Sequence, residues 1–154
     1  MILGLTVAEL VMRGIKITML SAINFVAWFL IPSFISTTLP GGLPVSTVTV
    51  AGFAVTIILL SAAGGLFSGT FVEYLARASA ALVSVVYLVV ITNFGDLRML
   101  VKLESQAVDV SLSFTPLVYI LMVPPLLSIL INAWGLIAYS GEKRNIEEAT
   151  VALE

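Results

Sequence analysis

Charged side chains fall in four short clusters, Glu9 to Lys16, Glu73 to Arg77, Asp96 to Asp109 and Glu142 to Glu154, and residues 17–72, 78–95 and 110–141 carry none. A helix needs roughly 20 mostly apolar residues to cross the hydrocarbon core of a bilayer. The first uncharged stretch is long enough for two crossings and a turn, and the other two hold one crossing each. The pattern therefore predicts an all-α integral membrane protein with four transmembrane helices in a single membrane domain over residues 1–154.

Turn and capping signals divide these stretches. Thr6-Val7-Ala8-Glu9 reads as a capping box, in which threonine and glutamate satisfy the first free amides of a helix, so span one starts at Thr6. Pro32, Ser36-Thr37-Thr38 and the run Leu39-Pro40-Gly41-Gly42-Leu43-Pro44 place its end near Ile31 to Ser36. Span two is expected from about Ser46 to Ala63, closed by Gly64-Gly65. Were the helix to continue through these glycines, Ser61, Gly65 and Gly69 would form a small-residue packing face instead, with Glu73 and Arg77 on the same stripe. Thr70 to Glu73 reads as a second capping box, and span three runs from about Phe71 to Thr92 before the turn signal Asn93-Phe94-Gly95-Asp96. Leu97 to Gln106 mixes Arg98, Lys102 and Glu104 with apolar residues as an interfacial helix does, whereas 108–115 alternates apolar and polar as an extended segment does. Thr115-Pro116 opens the last span, Pro124-Pro125 is expected to kink it, and Ser140-Gly141 to end it near Tyr139. A tail, 142–154, remains.

Thr6-x-x-Glu9-x-x-x-Arg13 recurs as Thr70-x-x-Glu73-x-x-x-Arg77, each time at the head of an apolar span. Gly65-Leu66 with Ser68-Gly69 likewise resembles Gly135-Leu136 with Ser140-Gly141. These echoes suggest a tandem duplication of a helical hairpin, with repeats 6–67 and 70–139. Capping boxes are common at helix starts, so coincidence explains the first echo equally well. Lysine and arginine set the orientation: Arg13, Lys16, Arg77, Lys143 and Arg144 fall on one side, Arg98 and Lys102 on the other. The excess predicts a multi-pass protein of the cell membrane with both termini cytoplasmic.

Composition narrows the chemistry. With no histidine and no cysteine, the chain lacks the usual ligands for haem, zinc and iron–sulfur clusters, and lacks Ser-His or Cys-His nucleophilic sites. It carries neither glycine-rich nucleotide motif, so no catalytic, metal or cofactor residue is predicted, and no motif points to nucleic acid. Glu73, Arg77, Asp96 and Arg98 cannot form one site, because span three separates them by about 30 Å at 1.5 Å per residue. The chain is expected not to be an enzyme. One glutamine, four asparagines and no cysteine would suit a thermophile.

A duplicated hairpin resembles the double-hairpin proteolipids of rotary ATPases, but spans two and four contain no acid to carry an ion, and that identity is rejected. The remaining candidates are polar groups near the spans. Asn24 and Asn132 lie deepest and Asn93 closes span three; these three, with Arg98 and Lys102 of the polar connection, are the candidate lumen or interface residues. Glu9 with Arg13, and Glu73 with Arg77, are candidate structural ion pairs at i,i+4 spacing. Trp28, Trp134, Tyr119 and Tyr139 fit an interfacial aromatic belt. Spans so apolar meet lipid, copies of the same chain or other membrane subunits. The expected function is a subunit of a homo-oligomeric channel, conduit or filament, architecturally similar to the pilins of DNA-transfer machines. The alternative is an accessory subunit that stabilises a larger membrane enzyme or secretion complex.

Overall fold

A computed structural model describes residues 6–38, 45–103, 106–151, and the expected turn at Leu39 to Pro44 lies outside them. Among the described residues four helices are long and apolar enough to cross a membrane: Val7–Thr38, Thr47–Leu66, Phe71–Gly95 and Thr115–Gly141. The protein is an all-α multi-pass membrane protein, and the one β element among the described residues is a pair of strands between the third and fourth spans.

The first span is compound: α1 (Val7–Phe25), a π-helical turn (Val26–Leu30) and α2 (Ile31–Thr38). Its start is as the sequence indicates. Thr6 Oγ1 accepts from the Glu9 amide while the Glu9 carboxylate accepts from the Thr6 amide at 2.8 Å, a complete capping box. Its end is later than expected, because Pro32 does not terminate the helix. A proline lacks an N–H and crowds the carbonyl four residues back, here that of Trp28. The wider π turn just before Pro32 makes room for the ring, and the Tyr87 hydroxyl, from a neighbouring span, donates at 2.9 Å to the Trp28 carbonyl, for which Pro32 lacks the α-helical donor.

Span two is α3 (Thr47–Leu66), capped by Ser46 Oγ accepting from the Thr49 amide. It continues through Gly64 and Gly65, which are packing notches rather than a cap. A Cβ at Gly64 would come within 2.9 Å of Arg77 Cγ, and one at Gly65 within 2.7 Å of Ile17 Cγ1. The left-handed residue at this end is Gly69, with φ +85°.

Span three is α4 (Phe71–Thr92), and its expected capping box does not form. The Thr70 hydroxyl donates backwards to the Phe67 carbonyl at 2.6 Å, and Glu73 accepts from the Gly69 amide instead. The two Thr-x-x-Glu segments therefore differ in structure, which removes part of the case for a duplicated hairpin. Thr6→Val should cost about 1 kcal/mol and Thr70→Val much less, since only the first side chain caps its helix; equilibrium unfolding of the two variants checks this.

Asn93 ends α4 in the left-handed region and Phe94 and Gly95 follow it there, with φ of 47°, 57° and 92°. The chain then enters β1 (Asp96–Leu103), which pairs antiparallel with β2 (Gln106–Ser113). The interfacial helix expected at Leu97 to Gln106 is thus a strand: its register partner, the alternating 106–113 segment, offers it a ladder that an isolated reading of its composition cannot include. The extended reading of 108–115 agrees with β2 up to Ser113. The last helix, α5 (Thr115–Val151), starts where expected and passes Pro124, Pro125 and Gly141 without ending. At 1.5 Å per residue it is about 55 Å long, well beyond the roughly 30 Å of hydrocarbon it has to cross.

Packing is mainly between successive spans, α1 on α3, α3 on α4 and α4 on α5. The core is Val50, Ile57, Tyr87 and Ile91, flanked by Trp28, Phe29, Val45, Phe53 and Val83. Trp28 therefore belongs to the core and not to an aromatic belt: its ring meets Tyr87 edge-on at 5.6 Å, and Phe53 closes on the same tyrosine at 5.2 Å. Trp134 and Tyr119 are exposed, as a lipid-facing position requires, and Tyr139 lies 6.4 Å from Tyr74.

Candidate functional site

With α3 and α4 side by side in the middle of this row, α1 and α5 stand at its two edges and a groove opens between them. Its cavity measures about 750 Å³. Each span contributes one stripe at helical spacing: Lys16, Leu20 and Asn24 from α1 with Trp28 from the π turn that follows it, Ile57 and Ser61 from α3, Arg77, Ala80, Ala81 and Ser84 from α4, and Pro124, Pro125, Ser128 and Asn132 among those from α5. Beyond Trp28 a second cavity of about 420 Å³ continues along the first span, lined by apolar residues such as Ile31, Pro32, Ile35 and Ile91. The groove is thus polar toward the termini and apolar toward the hairpin, with Trp28 at the change.

The structure brings Asn24 and Asn132 together in this groove. Asn132 is 7% exposed, and its amide nitrogen donates to the Ser128 carbonyl at 2.7 Å and to Ser128 Oγ at 3.2 Å. Ser84 Oγ donates to the Ala80 carbonyl at 2.8 Å. Among the described residues, Asn24 and Ser61 make no side-chain hydrogen bond within the bundle. The other candidates are elsewhere. Asn93 is the left-handed C-cap of α4, its amide donating to the Asp96 carbonyl at 3.3 Å. Arg98 and Lys102 sit in β1, opposite Ser111 and Ala107, at the far end of the bundle from Lys16.

Of the two candidate ion pairs, Glu73 and Arg77 meet at 2.7 Å, with Glu73 9% exposed as a residue. Glu9 and Arg13 do not meet, because the Glu9 carboxylate is taken by Thr6, and Arg13 instead reaches the Ser68 carbonyl at 3.4 Å, tying α1 to the end of α3. The sequence marks Lys16 as an inner-face charge and Arg77 as an inner-face charge and the partner of Glu73; their placement along one groove depends on which helices pack, which no single-helix pattern reveals. The spacing from Lys16 to Asn24 to Trp28 along the first span was the available signal.

No cluster of three or more metal-ligating side chains is present among the described residues. The groove offers hydrogen-bond donors and acceptors and two cations. Comparison with protein-family models, characterised proteins and solved structures finds no match.

Proposed function

We propose that the protein is a non-enzymatic membrane subunit that assembles with copies of itself into a conduit, each copy turning its α1–α5 groove toward a shared lumen. The single observation behind this reading is the groove's polarity. Apolar helix faces are at home against acyl chains, but Asn24 and Ser61, which make no side-chain hydrogen bond within the bundle among the described residues, and two cations along one cavity are not. Water in a lumen, or polar groups of a neighbouring copy, satisfy them. In this arrangement both termini lie in the cytoplasm, where five of the seven basic residues fall.

A second reading follows from α1, which has no buried residue: an accessory subunit whose groove receives a helix of a larger membrane enzyme or secretion complex. Mass by light scattering in mild detergent, with negative-stain imaging, separates the two. A ring or filament of many copies is the expected result, and a clean monomer overturns self-assembly in favour of the accessory role. Because the chain has no cysteine, Asn24→Cys also gives a clean probe. Expected is rapid labelling by a membrane-impermeant maleimide in vesicles, and none at Trp134→Cys on the lipid side.

A further inference from the structure

The end of the groove nearest the termini gathers two cations. Lys16 and Arg77 line it from different helices, and among the described residues no acidic side chain lines it. Glu73 stands behind Arg77: one carboxylate oxygen lies 2.7 Å from Arg77 Nη2 and the other accepts from the Gly69 amide. Among the described side chains, one acid stands beside these two cations.

Arg77 is also held in place. The Glu73 carboxylate, itself fixed by the Gly69 amide, grips one guanidinium nitrogen, and the stem lies over Gly64, where a Cβ would come 2.9 Å from Cγ. With 45% of its side chain exposed, the guanidinium keeps free donors. A planar fork fixed in this way, beside a flexible ammonium, matches the geometry of a tetrahedral oxyanion. Ser61 adds a hydroxyl from α3 to the same cavity.

We propose that this end of the groove binds a phosphate-type anion between Arg77 and Lys16. Two sources share that chemistry: the headgroup of an anionic phospholipid whose acyl chains enter between α1 and α5 beside Leu20, Leu127 and Ile131, and free inorganic phosphate arriving through water. The site is built from one copy's residues, so it stands whether or not the protein self-assembles.

The test is thermal unfolding of delipidated protein in a neutral maltoside detergent, titrated with phosphatidylglycerol against phosphatidylcholine, and with inorganic phosphate against chloride at matched ionic strength. A saturable rise in Tm with phosphatidylglycerol alone assigns a lipid site. A rise with phosphate alone assigns an aqueous one, and a rise with both assigns a site that accepts the group from either. In each case Lys16→Gln should weaken the response about tenfold, the loss of one charge-assisted contact. Arg77→Lys, which keeps a cation for Glu73 but loses the fork, should weaken it similarly. Arg13→Gln, on the same helix as Lys16 but bonded to Ser68, should leave the response unchanged. No saturable shift in either arm, or a shift indifferent to Lys16→Gln and Arg77→Lys, overturns the proposal.

Discussion

Tyr87→Phe is expected to destabilise the bundle by about 2 kcal/mol, toward the upper end for one interhelical hydrogen bond in a membrane. Such bonds are usually worth less, because a helix separated from its neighbours still finds local partners for its polar groups. The Trp28 carbonyl is an exception. Pro32 removes the donor that would occupy it within its own helix, so the Tyr87 hydroxyl supplies a bond that the separated first span lacks. Tyr87 is 1% exposed and touches Trp28 and Phe53, so the substitution keeps the ring in place and deletes only the hydroxyl. Pro32→Ala restores the local N–H, and Tyr87→Phe in that background should cost less than half as much. Unfolding in mixed micelles titrated with dodecyl sulfate, run as a double-mutant cycle, measures the coupling. Equal costs in both backgrounds would show that Trp28 and Pro32 are not linked through this bond.

Gly135→Val should be more damaging, at about 3 kcal/mol or above, since a side chain at this position on α5 would overlap the Tyr74 ring of α4. A retreat of the ring would disturb its packing beside Tyr139, whose ring centroid lies 6.4 Å away. Tyr74→Ala should recover part of the loss by emptying the space. Gly52→Val is the control, because nothing lies within 4 Å of a Cβ there. The same micelle titration reads all four proteins, and equal costs at 52 and 135 would contradict the close approach of α4 and α5.

The four spans, the Thr6 cap, the turn at Asn93 and the start of α5 were legible because each follows from local chemistry: runs of apolar residues, a side chain reaching three positions along, a proline where a helix opens. What was not legible depends on neighbours. Gly64 and Gly65 look like a helix stop in isolation, and only Arg77 and Ile17 reveal them as notches. Pro32 looks like a terminator until Tyr87 is placed beside it. Leu97 to Leu103 looks amphipathic until its antiparallel partner is known. For the candidate site, Asn24 and Asn132 stood out by depth alone, whereas Lys16 and Arg77 join them only through the order in which the helices pack. The Glu9 and Arg13 spacing permitted an ion pair, but the capping box competes for the carboxylate and holds it.

The hairpin leaves the helices and returns to them at one point. The Phe114 amide donates to the Gly95 carbonyl at 2.8 Å, and a Cβ on Gly95 would come within 2.6 Å of the Thr115 backbone. Its neck is therefore closed by the bundle's own backbone, independently of what lies between. With the neck closed in this way, changes of length or sequence beyond it are expected to leave α4 and α5 in place. An epitope or a fluorescent reporter grafted there would report on the far face of the membrane while leaving the groove untouched.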